Sequence, residues 1–145
     1  MSFKTGIAAV ACAATLLAPC VWAANSATID DTALIAEGNK HWAEGHLEDA
    51  RKSFEQAVAA NPRSTDAGMK LGGLLFSSRN YAAAIQTYQR TISLDAKNDK
   101  AWIGLGMAYL HDGQQDLSRA AFDEAVRVAP SRKPQLAELM TKPAK

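Results

Sequence analysis

Five columns of residues recur along this chain at one interval of 34 positions, and no single motif constrains the fold as much. Glycine holds the first column, at Gly38, Gly72 and Gly106. An aromatic holds the second, at Phe54, Tyr88 and Phe122, and a small residue the third, at Ala50, Ala84 and Ser118. Ala57, Thr91 and Ala125 make a fourth, and Pro62, Ala96 and Pro130 a fifth. All five keep phase without an insertion. Self-similarity at a fixed period of this size is the mark of an array of stacked helical hairpins, in which each unit packs only on its neighbours.

Each glycine falls inside the first helix of a unit, where it costs roughly 1 kcal/mol against alanine. The cost is tolerable where a neighbouring helix must approach the backbone. The Ala50, Ala84 and Ser118 column supplies that approach, and the aromatic one turn later is expected to fill the space beyond the crossing. In the third unit Trp102, Leu105, Gly106 and Tyr109 fall at i, i+3, i+4 and i+7, a one-faced helical stripe. With Phe122 and Pro130 behind it, this unit resembles the tetratricopeptide repeat (TPR), whose signature runs W-x2-L-G-x2-Y, A-x3-F, P. The resemblance runs from near Asp31 to Pro130. It implies an all-α, right-handed solenoid of three helix-turn-helix units over residues 31–64, 65–98 and 99–132, closed by a short capping helix. The first unit departs from the pattern with Leu34, Glu37, Gly38 and His41, where a carboxylate takes the place of Leu71 and Leu105. A terminal unit has no preceding neighbour, and a polar residue suits that solvated edge. In the second unit Gly68 stands where the third has Trp102, which implies thinner packing in the middle.

In chain order, Asp30 or Asp31 is placed to cap a helix running to about Ala43. Its partner is expected over Leu47 to Ala60, after a turn at Glu44-Gly45-His46. The second hairpin spans Thr65 to Ser78 and Tyr81 to Leu94, and the third Asp99 to His111 and Gln115 to Val128. Leu136, Leu139 and Met140 stand 34 positions beyond Trp102, Leu105 and Gly106. Lys133 to Thr141 therefore reads as a capping helix, with Pro134 tolerated in its first turn, followed by a tail to Lys145.

The N-terminus is not part of the array. Lys4, an uncharged apolar run from Gly6 to Ala18, and Val21-Trp22-Ala23 give the charged, apolar, small order of a secretory signal peptide over residues 1–23. Residues 24–31 then form a polar lead. Two rivals stand beside cleavage: Gly6 to Ala23 as an uncleaved membrane anchor, and Leu17-Ala18-Pro19-Cys20 as a lipobox, which resembles that of bacterial lipoproteins except that Pro19 replaces a small residue. The order points to an exported, periplasmic protein of a Gram-negative bacterium, touching a membrane only if this segment is retained or lipidated. Both cysteines, Cys12 and Cys20, lie here, so a chain starting at Ala24 has no thiol chemistry. Removing Lys4 takes the formal net charge from +1 to zero. No clustered excess of Lys and Arg marks a nucleic-acid surface.

The residues offer no catalytic constellation: no nucleophile turn, no glycine-rich loop after a strand, no cofactor motif. His41 and His46 are five apart, off the i, i+4 spacing of ligands on one helix face, and no carboxylate completes a site by spacing. They read as ordinary surface histidines, and no metal site is expected. What an array does offer is a concave surface lined by the first helix of each hairpin. The candidate groove residues are Asn39 and Trp42 from the first hairpin, Met69, Lys70 and Phe76 from the second, and Lys100, Ile103, Met107 and His111 from the third. Ile35, Asp66, Gly73 and Leu110 lie on the same faces. The alternative is that the apolar members are buried between adjacent first helices, because amphipathic stripes serve both ends.

A subset of the TPR family clamps a partner's C-terminal carboxylate. Matched by motif position, this sequence offers Ile35, Asn39, Lys70, Lys100 and Gly104. Asn39 and Lys100 agree, Lys70 puts a cation for an amide, and Ile35 and Gly104 depart, so a full clamp is not expected. Alternatively, Lys70 pairs with Asp66 at i, i+4. The expected function is a non-catalytic module that holds a peptide or helix of another protein, with an acidic stretch or a C-terminal carboxylate as candidate ligand groups. A self-associating scaffold is the rival, and size exclusion separates a monomer from a ladder of oligomers. The expected mature chain begins at Ala24. Intact-mass measurement of exported protein checks this; a mass retaining residues 1–23, or an acylated Cys20, contradicts it.

Overall fold

The computed structural model describes residues 30–141, so the signal-peptide, anchor and lipobox readings lie outside the described residues. Among those described there are seven α-helices, a single 3-10 turn and no strand. The first hairpin pairs α1 (Asp31–Ala43) with α2 (Leu47–Ala60), and the second pairs α3 (Thr65–Ser77) with α4 (Tyr81–Leu94). The third pairs α5 (Asp99–His111) with α6 (Gln115–Val128); a 3-10 turn at Pro130–Arg132 then leads into α7 (Lys133–Thr141). The helix α3 stops one residue short of the expected Ser78, which serves instead as its C-cap, its N–H bonded to the Leu74 carbonyl and that of Arg79 to the Phe76 carbonyl. Contacts join the two helices of each hairpin, α2 to α3, α4 to α5, and the first helices α1 to α3 and α3 to α5. This is an array of the kind the 34-residue period requires.

The starts and stops keep the same period. Asp30, Ser64 and Asn98 are N-caps spaced 34 apart, and their side-chain oxygens accept from Thr32, Ala67 and Ala101 N–H groups at 3.1, 3.2 and 3.0 Å. Asp30, not Asp31, is therefore the cap of α1. Each hairpin turn is also the same. The N–H groups of His46, Asn80 and Gln114 bond back to the carbonyls of His41, Leu75 and Tyr109 at 2.8–2.9 Å. One residue in each turn must be left-handed, and it is Gly45 (φ 81°), Arg79 (φ 61°) and Gly113 (φ 82°). Arginine carries a Cβ, so the middle turn is strained where the outer two are not.

The glycine column does not serve the purpose expected of it. A Cβ added to Gly38, Gly72 or Gly106 would meet the ring of Phe54, Tyr88 or Phe122 at 2.5, 2.8 and 2.5 Å respectively. The aromatic therefore sits at the crossing, face to face with the glycine, rather than beyond it. The small column closes the same approach from the side, where the Ser118 hydroxyl donates to the Gly106 carbonyl at 2.8 Å. Tyr88 is used twice, since Gly104 of the next hairpin is also pressed against its ring. Burial there pushes the Tyr88 phenol up to about 12. Phe54 and Phe122 are 0% and 1% exposed.

Gly68 has its explanation in Thr91. Threonine replaces the alanine of Ala57 and Ala125, and a Cβ on Gly68 would collide with its hydroxyl. The hydroxyl donates to the Thr87 carbonyl at 2.9 Å and so carries no unmet polar cost. The large anchor moves from one helix to the other only in part: a cleft of about 280 Å³ remains there, bounded by Val58, Gly68, Leu71 and Thr91. In the third hairpin Trp102 stands at that position, its indole N–H donating to the Ala96 carbonyl at 3.0 Å.

The helix α7 covers the last face. Leu136 is 3% exposed and joins Phe122 and Ala125 in a second core cluster, with Leu139 and Met140 against it. An Arg132–Asp99 ion pair at 2.7 Å ties the approach to α7 onto the start of α5. The left-handed residue makes the turn prediction specific. Arg79→Gly removes a strain of about 1–2 kcal/mol and adds backbone entropy to the unfolded chain. The net should be a stabilisation of about 0.5–1 kcal/mol, read as a higher urea midpoint at unchanged slope; a lower midpoint contradicts the account.

Candidate functional site

The three first helices lie side by side, so their faces away from the second helices form one continuous surface. The structure brings Met69, Lys70 and Lys100 together there. A cleft of about 370 Å³ between α3 and α5 is lined by Thr65, Asp66, Met69, Lys70, Asn98 and Lys100. Lys70 does not pair with Asp66: both line the cleft, but the ion pairs among the described residues do not include them. The i, i+4 spacing permits the pair without forcing it, because an exposed pair gains little against side-chain entropy. Two ammonium groups from neighbouring hairpins thus share one concavity with a single carboxylate. Asn98 is held in place by its capping bond to Ala101.

The apolar candidates are placed differently. Trp42 is half-buried, lying edge-on to Phe54 with ring centroids 6.1 Å apart and over Gly73 of α3, where an added Cβ would touch its ring at 3.4 Å. Met69 packs against the main core. Ile103 and Met107 pack against the second cluster, which α7 completes through Leu136. Ile35 is 6% exposed and belongs to the core outright. Trp42 and Met69 are spent on the main core as much as they face outward, and Ile103 and Met107 on the cluster that α7 completes. The physical reason is that α1, α3 and α5 are themselves in contact, and the residues one turn off the hairpin stripe are those that meet. Asn39 is half-buried on α1 and forms no bond to the two lysines.

Phe76 and His111 meet at the other end of the surface, with ring centroids 5.3 Å apart at 76°. Tyr81, which spacing alone did not suggest, completes a three-ring cluster: it stacks on His111 at 5.4 Å and 25° and tilts on Phe76 at 5.7 Å. The signal for it lay in position, since Tyr81 opens α4 directly after the turn that follows Phe76.

A spacing argument also fails at the first turn. Ligand atoms of His41, Glu44 and His46 all lie within 4.8 Å of one another. The spacing rule treats a single helix, but here the helix ends at Ala43 and the turn folds Glu44 and His46 back beside His41.

Two stretches of the sequence, residues 35–99 and 75–142, each match a model of the family described as tetratricopeptide repeat. The chain belongs to that family. Among curated proteins, the general transcriptional corepressor ssn6 of Schizosaccharomyces pombe is 35% identical over 71 residues, covering 49% of this chain. The chain spans only 6% of the length of that relative, and likewise 6% of the corepressor trfA of Dictyostelium discoideum. Among solved structures, the first TPR of Spaghetti (RPAP3) bound to the HSP90 peptide SRMEEVD superposes with a TM-score of 0.69 at 14% identity, covering 78% of this chain and 94% of that one. The Yersinia enterocolitica type III secretion chaperone SycD, in complex with a peptide of the translocator YopD, gives 0.66 at 21% identity over 76% and 83%. These likenesses establish the fold.

Proposed function

We propose that this chain is a non-catalytic protein-interaction module that holds a segment of a partner protein along the α1, α3 and α5 surface. The cleft shared by Lys70 and Lys100 receives an acidic stretch or a terminal carboxylate of that segment. One observation carries the proposal: two lysines from successive hairpins line a single concavity of about 370 Å³ and are engaged by no carboxylate in an ion pair. Neighbouring cations without an acidic partner favour an anionic ligand, which gains orientation and association rate from them more than raw affinity. Structures of the same fold with bound peptides support a peptide as ligand. A full carboxylate clamp is not part of the proposal, because Ile35 is in the core and Gly104 lies under the ring of Tyr88.

The setting we propose is the periplasm of a Gram-negative bacterium, with the segment before Ala24 removed on export. The support is the charged, apolar, small order of residues 1–23. The partner is then another envelope protein.

The test begins with a partner captured from envelope extract and narrowed to a binding peptide. Charge reversal at both Lys70 and Lys100 should weaken that peptide's binding and flatten its salt dependence while leaving helicity unchanged. Binding equal to the parent's at low salt would overturn the assignment of this cleft. Trp42→Ala is a poor probe of binding, because it also removes packing on Phe54 and Gly73.

A further inference from the structure

We propose that the turn between α1 and α2 is a divalent transition-metal site, with His41, Glu44 and His46 as its protein ligands. It stands at the other end of the chain's described fold from α7 and is independent of the peptide surface.

The geometry comes first. One ring nitrogen of each histidine and a carboxylate oxygen of Glu44 lie within 4.8 Å of one another. Glu44 Oε2 and His46 Nδ1 are 3.6 Å apart. An ion with bonds of about 2.0–2.2 Å in tetrahedral geometry holds its ligands about 3.3–3.5 Å apart. That pair is therefore already near coordination distance, and the widest gap has to close by roughly 1.5 Å. The side chains that must move, Glu44 and His46, are the exposed ones, at 44% and 60%. Their backbone needs no rearrangement: His46 N–H is bonded to the His41 carbonyl at 2.9 Å, and Gly45 holds the left-handed position of the turn.

Two further observations at the same residues point to a missing ligand. Nδ1 of His41 is buried and has no hydrogen-bond partner. A buried ring nitrogen without a partner is uncommon and calls for an ion or water. Nε2 of the same ring stands 3.7 Å from Glu37 Oε1, beyond hydrogen-bond distance but within reach of a small closure that would let the carboxylate orient a metal-bound imidazole.

The surroundings suit a cation. The C-terminal carbonyls of α1 converge on this turn and carry the negative end of the helix dipole. Two imidazoles and one carboxylate form a donor set that favours zinc, nickel or copper over calcium or magnesium. The matching positions of the other hairpins are Leu75, Ser78 and Asn80, and Tyr109, Asp112 and Gln114, so the donor set is confined to the first turn. An ion there would staple α1 to α2 at the edge of the array that lacks a neighbour.

The test is calorimetric titration of the untagged chain from Ala24 onward, which carries no cysteine, with zinc chloride, beside the variants Glu44→Gln, His46→Ala and His111→Ala. One saturable zinc per chain is expected, weakened about tenfold or more by His46→Ala and reduced by Glu44→Gln. His111→Ala, which removes the remaining histidine, should bind like the parent. Zinc should raise the melting temperature of the parent and not that of His46→Ala, because a site assembled only in the folded turn stabilises the state it binds. Circular dichroism keeps loss of fold apart from loss of site. The proposal is overturned if zinc does not bind saturably, if His46→Ala binds as the parent does, or if His111→Ala loses binding equally.

Discussion

The contact between a bare helix backbone and an aromatic ring is what the rest of this structure depends on. At Gly38, Gly72 and Gly106 the ring of the second helix lies where a Cβ would stand. The approach of the paired helices is thereby limited by the ring, and by the same kind of contact in each hairpin. Repetition of that contact lets the second helix of one unit pack against the first helix of the next, so the period of the sequence becomes the period of the array. The helix-propensity cost of each glycine, roughly 1 kcal/mol, is offset by burying a phenyl or phenol ring almost completely.

The same contact explains where the array is strong and where it is thin. Tyr88 presses on glycines of two successive hairpins and so locks the second unit to the third. Thr91 and Gly68 stand in for a large anchor on the opposite side, and a cleft persists beside them. At the ends the solutions differ. The last hairpin receives α7 as a lid, whereas the first presents a half-solvated face carrying Glu37, His41 and His46. Polar groups can be placed at such an edge without the burial cost that they would meet in the middle.

Most of the fold was legible in the sequence because its elements follow from local rules repeated in phase. Glycine, aromatic and small-residue columns gave the hairpins, and the leucines at 136 and 139 gave the cap. Relations between helices were less legible. Spacing places Trp42, Ile103 and Met107 on the outer face of their helices, but only the packing of neighbouring helices shows that Trp42 is spent partly on the main core and Ile103 and Met107 partly on the cluster under α7. The lysines were legible as a pair because they lie on matching faces of successive units, while the failure of Lys70 to meet Asp66 was not. Tyr81 on His111 and Glu44 beside two histidines were missed for one reason: both form where the chain leaves a helix, and a period of 3.6 says nothing past the last turn.

The central claim is that ring and glycine are coupled, and a double-mutant cycle measures coupling directly. In the parent, Gly106→Ala should destabilise by about 1–3 kcal/mol through overpacking against Phe122. In a Phe122→Leu background the ring atoms that an added Cβ would strike are gone. There the same Gly106→Ala change should cost little or stabilise, since alanine is the better helix former. Urea melts of the four proteins should therefore give an interaction energy above about 1 kcal/mol. Additive effects at the two positions would contradict the account.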